Sequence, residues 1–196
     1  MTLMIQSAFK EWNVAVNALE AGQTILLLRK GGIREQQGQF SVQHQQVLLY
    51  PTFEHQNPNL LQSEYTSSVE PVASGWHPET VRIGSWTAIT EIFALETKQA
   101  ESILFDLLPF LIWNEQFVRD RLKFKPHKPL YLLFLRIYKL ATPHTIPYHP
   151  SYGGCRSWIE LQQGIACQNS TPVLNEMAYQ TQCAKIRQLL PKLLRT

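Results

Sequence analysis

Aspartate is almost missing from this chain: its 196 residues hold two, Asp106 and Asp120. A metal-dependent nuclease of the restriction type needs an acidic residue ahead of a Glu-x-Lys pair, to hold Mg²⁺ and activate water. Glu96-Thr97-Lys98 has the letters, but both aspartates follow it in helical sequence, so Glu79 or Glu91 would have to stand in. A three-letter match arises by chance, and no catalytic residue is assigned on it. Cysteine is equally sparse. Cys155, Cys167 and Cys183 are odd in number, widely spaced and without a Cys-x-x-Cys, as expected of free thiols in a reducing cytoplasm. His144, His149 and Cys155 match no standard ligand spacing and lack a fourth member, so no metal or other cofactor is expected. The opening MTLMIQSAFKEWN has no basic region followed by an apolar core, so no secretory signal is expected. The longest apolar run, ILFDLLPFLIW, contains Asp106 and Pro109 and is too short to span a bilayer, which argues against a membrane partner.

Charge is scarce too, at 17% of residues, and it is uneven. The stretch RDRLKFKPHK, residues 119–128, carries a net +4, and Lys185, Arg187, Lys192 and Arg195 add another +4. The whole chain is +3, so the remainder is about −5. Two basic patches on a mildly acidic body suggest an anionic partner, against the alternative of two solvated helix faces.

SAFKEWNVAVNALEAG reads as a first helix, with Ser7 as N-cap, Glu11 early, Phe9, Trp12, Val16 and Leu19 at helical spacing, and Gly22 as its stop. QTILLLR is a uniformly apolar buried strand, GGIREQQGQFS a turn, and QQVLLYPTF a second strand whose pairing is ended by Pro51. Residues 54–78 form a long polar loop. TVRIGSWTAITEIFAL reads as one or two strands bent near Gly84, followed by two short helices broken at Pro109. PLYLLFLRIYKL is the strongest strand; a Pro/His loop and a short strand RSWIEL follow it. A final helix is capped by Thr171 with Pro172 at its first position. The order is not the alternation of a doubly wound sheet. It predicts an α+β fold: a mixed sheet or small β-barrel with packed helices and a C-terminal helix. The expected division is a single domain over 1–162, with a linker and packed helix over 163–196.

FKEWNVAVNALEAGQTILLLRKGGIRE, LLYPTFEHQ, RLKFKPHKPLYLLFLRIYKL, YGGCRSWIEL and PVL together resemble domain of unknown function 1802, a family common in cyanobacteria. The resemblance covers nearly the whole chain and implies no established activity. Some relatives carry a restriction-endonuclease domain, which implies a recognition role in a defence system. More loosely, a helix ending in a glycine turn and a strand ending in Arg are similar to the opening of PUA/ASCH-like small barrels. That likeness covers about fifteen residues and implies binding of RNA or modified bases.

In ILLLRKGGIRE, a buried strand surfaces at Arg29 and Lys30, and Gly31 and Gly32 turn the chain beside Arg34. Glycines that take φ > 0 would free backbone N–H groups for an anion; a plain hairpin turn is the structural alternative. His44 and His55 bracket the second strand. Lys125 in the basic stretch, Arg136 at the end of the strongest strand, and Tyr152 and Cys155 in the glycine loop complete the candidate ligand-binding set. Trp76, Tyr148 and Tyr152 are placed to stack on bases, while Trp158 reads as core. Cys155 beside Arg156, with His144 or His149 as base, could be a nucleophile, but a small buried hydrophobe is the commoner role. The expectation is a non-catalytic module for nucleic acid or a nucleotide-like anion. The alternative is a protein-interaction or assembly factor acting through the C-terminal helix or the 54–78 loop.

Overall fold

A computed structural model describes residues 3–31, 34–36, 39–41, 44–95 and 97–190, the side chains of 34–36, 39–41 and 97–99 excepted. Its first element corrects the expected helix. Strand β1 (Met4–Trp12) comes first, and helix α1 (Asn13–Glu20) only after it. Ser7 caps nothing: its hydroxyl donates to Glu160 at 2.7 Å. The Phe9–Trp12–Val16–Leu19 spacing fits a helix only because a strand and a helix meet inside it. α1 has no side-chain cap of its own, and Gln56 Oε1 accepts the Val14 N–H at 3.0 Å instead.

β2 (Leu26–Arg29), β3 (Arg34–Gln36), β4 (Gln39–Ser41) and β5 (Gln46–Thr52) follow. β3 and β4 pair with each other, so the supposed turn region contains a small hairpin. The 54–78 loop holds a one-turn 3₁₀ segment and the short helix α2 (Ser63–Thr66), pinned where Gln62 Nε2 donates to the carbonyls of Leu108 and Leu111, both at 2.6 Å. β6 (Thr80–Leu95) is a single long strand whose register shifts between Ile83 and Ser85, at the bend expected near Gly84. α3 (Thr97–Asp106) and α4 (Glu115–Lys123) are separated by a 3₁₀ turn around Pro109. Asn114 caps α4 by accepting the Phe117 N–H, with Glu115 in the first turn and Arg121 and Lys123 in the last, as the helix dipole favours.

β7 (Leu130–Pro147) runs through most of the expected Pro/His loop, because its second half pairs with the first half of β6. β8 (Trp158–Ala166) and β9 (Thr171–Pro172) come next. Thr171 and Pro172 are therefore in a strand against β7; the cap of the last helix, α5 (Glu176–Leu189), is Asn175, which accepts the Ala178 N–H at 2.8 Å.

The fold is α+β. A mixed seven-stranded sheet runs in the order β2-β7-β6-β5-β1-β8, with β9 beside β7. β1 and β5 are parallel and the other pairs are antiparallel. The sheet is open, not a closed barrel: no pairing among the described residues joins β8 to β2. The larger core lies between one face of the sheet and the helices, and includes Phe9, Leu104, Phe117, Phe134 and, from α5, Cys183 and Ile186. A smaller core on the other face includes Ala8, Tyr50, Ile83 and Tyr152.

One irregularity of the sheet makes room for a site. β5 pairs with β6 only from Gln46 to Leu48, while its pairing with β1 continues to Thr52. Pro51 therefore does not end the pairing of β5, as expected from sequence: it is opposite Glu11 of β1, past the last residue paired with β6. A proline is tolerated there because no ladder hydrogen bond is demanded on the free side.

Candidate functional site

A cleft of about 620 Å³ opens at the carboxyl ends of the parallel strands β1 and β5. Its walls come from both faces of the sheet, because consecutive strand residues point opposite ways. Lys10 and Tyr50 enter it from the side of the smaller core, Glu11 and Arg29 from the side of the larger one.

Arg29 is held hard. It pairs with Glu11 at 3.0 Å, donates to the Lys10 carbonyl at 2.5 Å and lies over the Phe9 ring at 4.2 Å. Arg121 reaches the same end of the cleft from α4, over the Phe117 ring at 4.8 Å, and has no hydrogen-bond or ion-pair partner among the described residues. Burial, and then the charge of Arg29, push the Arg121 guanidinium below its ordinary pKa, against the pull of Glu11. On the other side of β1, the Lys10 ammonium donates to the carbonyls of Tyr152 and Gly154, at 2.5 and 2.8 Å. Burial and then Arg156 lower its pKa. The cleft thus holds Lys10, Arg29, Arg121 and Arg156 against Glu11 and Glu54, a net +2 with histidines neutral.

Aromatic rings form the rest of the wall. His77 stacks on Tyr148 at 3.5 Å, nearly parallel; Tyr148 and Tyr50 each meet Tyr152 edge-on, at 6.4 and 5.7 Å. Burial raises the Tyr50 pKa, keeping its phenol protonated. Trp76, 44% exposed, meets Phe53 at 5.8 Å. Glu54 ties this rim together: it accepts the Gly75 N–H at 2.6 Å and lies 3.3 Å from His55. The Gly75 bond is the main reason that its pKa is lowered. Gly75 has φ 80°, where a side chain would be strained, so here the glycine is required by the backbone.

Of the residues singled out in the sequence, Arg29, His55, Tyr152 and Cys155 border this cleft, with Trp76, Tyr148 and Arg156. The others are elsewhere. Lys30 is buried and donates to the carbonyls of Lys128 at 2.6 Å and Lys125 at 3.4 Å, so it closes a loop instead of facing a ligand. Gly31 is exposed, lacks a positive φ and has open space around it. Gly32 and the Arg34 side chain lie outside the described residues. His44 is 3.3 Å from Glu160 on β8. Lys125 is exposed, over the Phe124 ring. Arg136 sits beneath the start of α5, 3.3 Å from Glu176 and over the Tyr179 ring. The basic stretch is therefore divided: Arg119 is taken by Glu101 and Glu115, Arg121 turns to the cleft, and Lys123, Lys125 and Lys128 face solvent.

Cys155 is exposed at the cleft and has no hydrogen bond to a histidine among the described residues; His149 instead accepts the Ser151 N–H. Cys167 and Cys183 are buried, and burial pushes the Cys167 thiol up to about 11. Glu96 and the Lys98 side chain lie outside the described residues, which contain no group of three or more acidic, His or Cys residues placed for a metal ion. No described helix is long and apolar enough to cross a membrane. Trp158 is half-buried and packs against the larger core, 4.4 Å from Phe9. Lys10, Glu11, Tyr50 and His77 were missed by sequence reasoning. Reading Lys10-Glu11-Trp12 as helix hid that Lys10 and Glu11 serve opposite faces of one strand end.

A crystal structure of ASCH from Zymomonas mobilis is similar at 13% identity and TM-score 0.44, covering 91% of this chain and 93% of that one. A mutant of the same protein is similar at 10% identity and TM-score 0.44, covering 94% and 99%. No curated protein matches the chain significantly. The family profile described as Domain of unknown function (DUF1802) matches residues 8–185, and the chain belongs to that family.

Proposed function

We propose that this protein is a binding module for nucleotides within nucleic acid, acting through the cleft at the ends of β1 and β5. One observation carries the reading: aromatic rings and incompletely neutralised cations share a single concave site. Bases stack on rings of any sequence, and phosphates seek guanidinium and ammonium groups. Single-stranded RNA or DNA, or a base out of its stack, offers both at once. A volume of about 620 Å³ is in the usual range for a small-ligand pocket. In a restriction system such a module would supply recognition to a partner's catalytic domain.

Fluorescence anisotropy with labelled single-stranded RNA and DNA decamers tests this. Binding is expected to weaken as salt rises. Trp76→Ala should weaken it by about tenfold or more through lost stacking, since a stacked base contributes about 1–3 kcal/mol. Arg156→Glu should weaken it and flatten the salt slope by about one. Absence of binding, or binding indifferent to both substitutions, would overturn the reading.

A further inference from the structure

The cations of the cleft are arranged in two like-charged pairs. Lys10 and Arg156 press on each other on one side of β1; Arg29 and Arg121 do so on the other. Among the described residues of the cleft each pair has one carboxylate beside it: Glu54 acts on Lys10 after Cys155, and Glu11 acts on both Arg29 and Arg121. Each cluster therefore keeps a net +1. The separation follows from the strand itself. Lys10 shares its face with Ala8 of the smaller core, and Glu11 shares the opposite face with Phe9 of the larger one. Within each pair one cation is anchored and one is available. Arg29 is fixed by Glu11 and the Lys10 carbonyl, and Arg121, over the Phe117 ring, has no hydrogen-bond or ion-pair partner among the described residues. Lys10 spends two of its three N–H donors on carbonyls, and among the described residues Arg156 has one long hydrogen bond, 3.3 Å to the Ser151 carbonyl.

Resting on the nucleotide reading above, we infer that the cleft takes one nucleoside with a phosphate on each side of it, one phosphate at Arg121–Arg29 and the other at Arg156–Lys10. Two clusters of net +1 suit two separate phosphates, whereas a ligand with one phosphate leaves one cluster unanswered. The same chemistry occurs at an internal nucleotide of a strand and in a free nucleoside 3′,5′-bisphosphate.

Isothermal titration at low salt distinguishes these. The probes are adenosine 3′,5′-bisphosphate, adenosine 5′- and 3′-monophosphate, and the unphosphorylated-end RNAs ApA and ApApA. The bisphosphate should bind at least about tenfold more tightly than either monophosphate, as one extra charge-assisted contact provides. If the strand is the source, ApApA, whose central nucleoside has two phosphates, should exceed ApA similarly. A gain for the bisphosphate without one for ApApA would assign the site to the free bisphosphate. Arg121→Gln and Arg156→Gln should each remove the gain, while Arg121→Lys keeps part of it; unchanged melting temperatures would show that the variants fold. Equal binding of bisphosphate and monophosphate would overturn the two-phosphate arrangement and leave the nucleotide reading standing. No binding of any probe would overturn both.

Discussion

Glu11→Gln should destabilise the fold by about 3 kcal/mol and, in the same protein, strengthen its binding of anions. Both effects have one cause. Glu11 is 8% exposed and is the carboxylate paired with Arg29, which sits over Phe9 with Arg121 close by. Removing its charge leaves two adjacent guanidinium groups, one of them largely buried, with no carboxylate between them. Breaking a buried pair costs about 3–5 kcal/mol because the remaining charge is uncompensated. The cleft meanwhile rises from net +2 to +3. Denaturant titration measures the first effect, and anisotropy with a single-stranded oligonucleotide measures the second. The double substitution Glu11→Gln/Arg29→Gln should recover much of the stability, since it removes the stranded charge as well. Loss of less than about 1 kcal/mol in the single variant would mean that the pair is effectively solvated.

Phe134→Ala should cost about 3–5 kcal/mol, a large part of the stability of a domain of this size. Phe134 is fully buried on β7, where it is paired with Leu26 on one side and Glu91 on the other, and its ring lies 5.3 Å from that of Phe93. Strands β2 and β6 hold the backbone from both sides, so the space left by the ring cannot collapse easily. The loss contains both the transfer free energy and the cavity cost. Phe134→Leu should recover more than half of it. The check is equilibrium unfolding in urea with the m-value unchanged; a cost under about 1.5 kcal/mol would show that the core around β7 relaxes into the gap.

The parts of this fold that were legible in the sequence are those where one force dominates. PLYLLFLRIYKL reads as a strand because it is β-forming and apolar almost throughout; residues 132–137 are all buried, and β2 and β6 flank Tyr131–Phe134 on both edges. Its extension to Pro147 was hidden by Pro143, His144 and Pro147: a mostly exposed strand end that pairs with β6 announces no hydrophobic period. β1 was hidden for the opposite reason. Buried residues at 7, 8, 9 and 11 leave no clean alternation, and Phe9, Trp12, Val16 and Leu19 supply a helical spacing that runs on into α1. α5 was legible as a helix and wrong at its start, since Thr-Pro is as good a beginning as the Asn175 that caps it, until β7 claims Thr171 and Pro172.

The cleft was legible only in part. Cations and aromatic residues in loops pointed to Arg29, His55, Tyr152 and Cys155, and to Trp76 and Tyr148. What brings them together is the parallel pairing of β1 with β5 and the early separation of β5 from β6, neither of which leaves a local mark. Lys30 and Arg136 look the same as Arg29 in sequence; their partners, the carbonyls of Lys125 and Lys128 and the carboxylate of Glu176, are distant along the chain.

The most direct measurement is chemical-shift mapping by NMR on isotope-labelled protein titrated with adenosine 3′,5′-bisphosphate and with a single-stranded pentanucleotide. Shifts should gather at Gly75–His77, at Tyr148–Ser157 and at the Arg121 guanidinium, with Lys123, Lys125 and Lys128 little affected. Shifts confined to that exposed basic turn or to α5, with the ends of β1 and β5 silent, would contradict it.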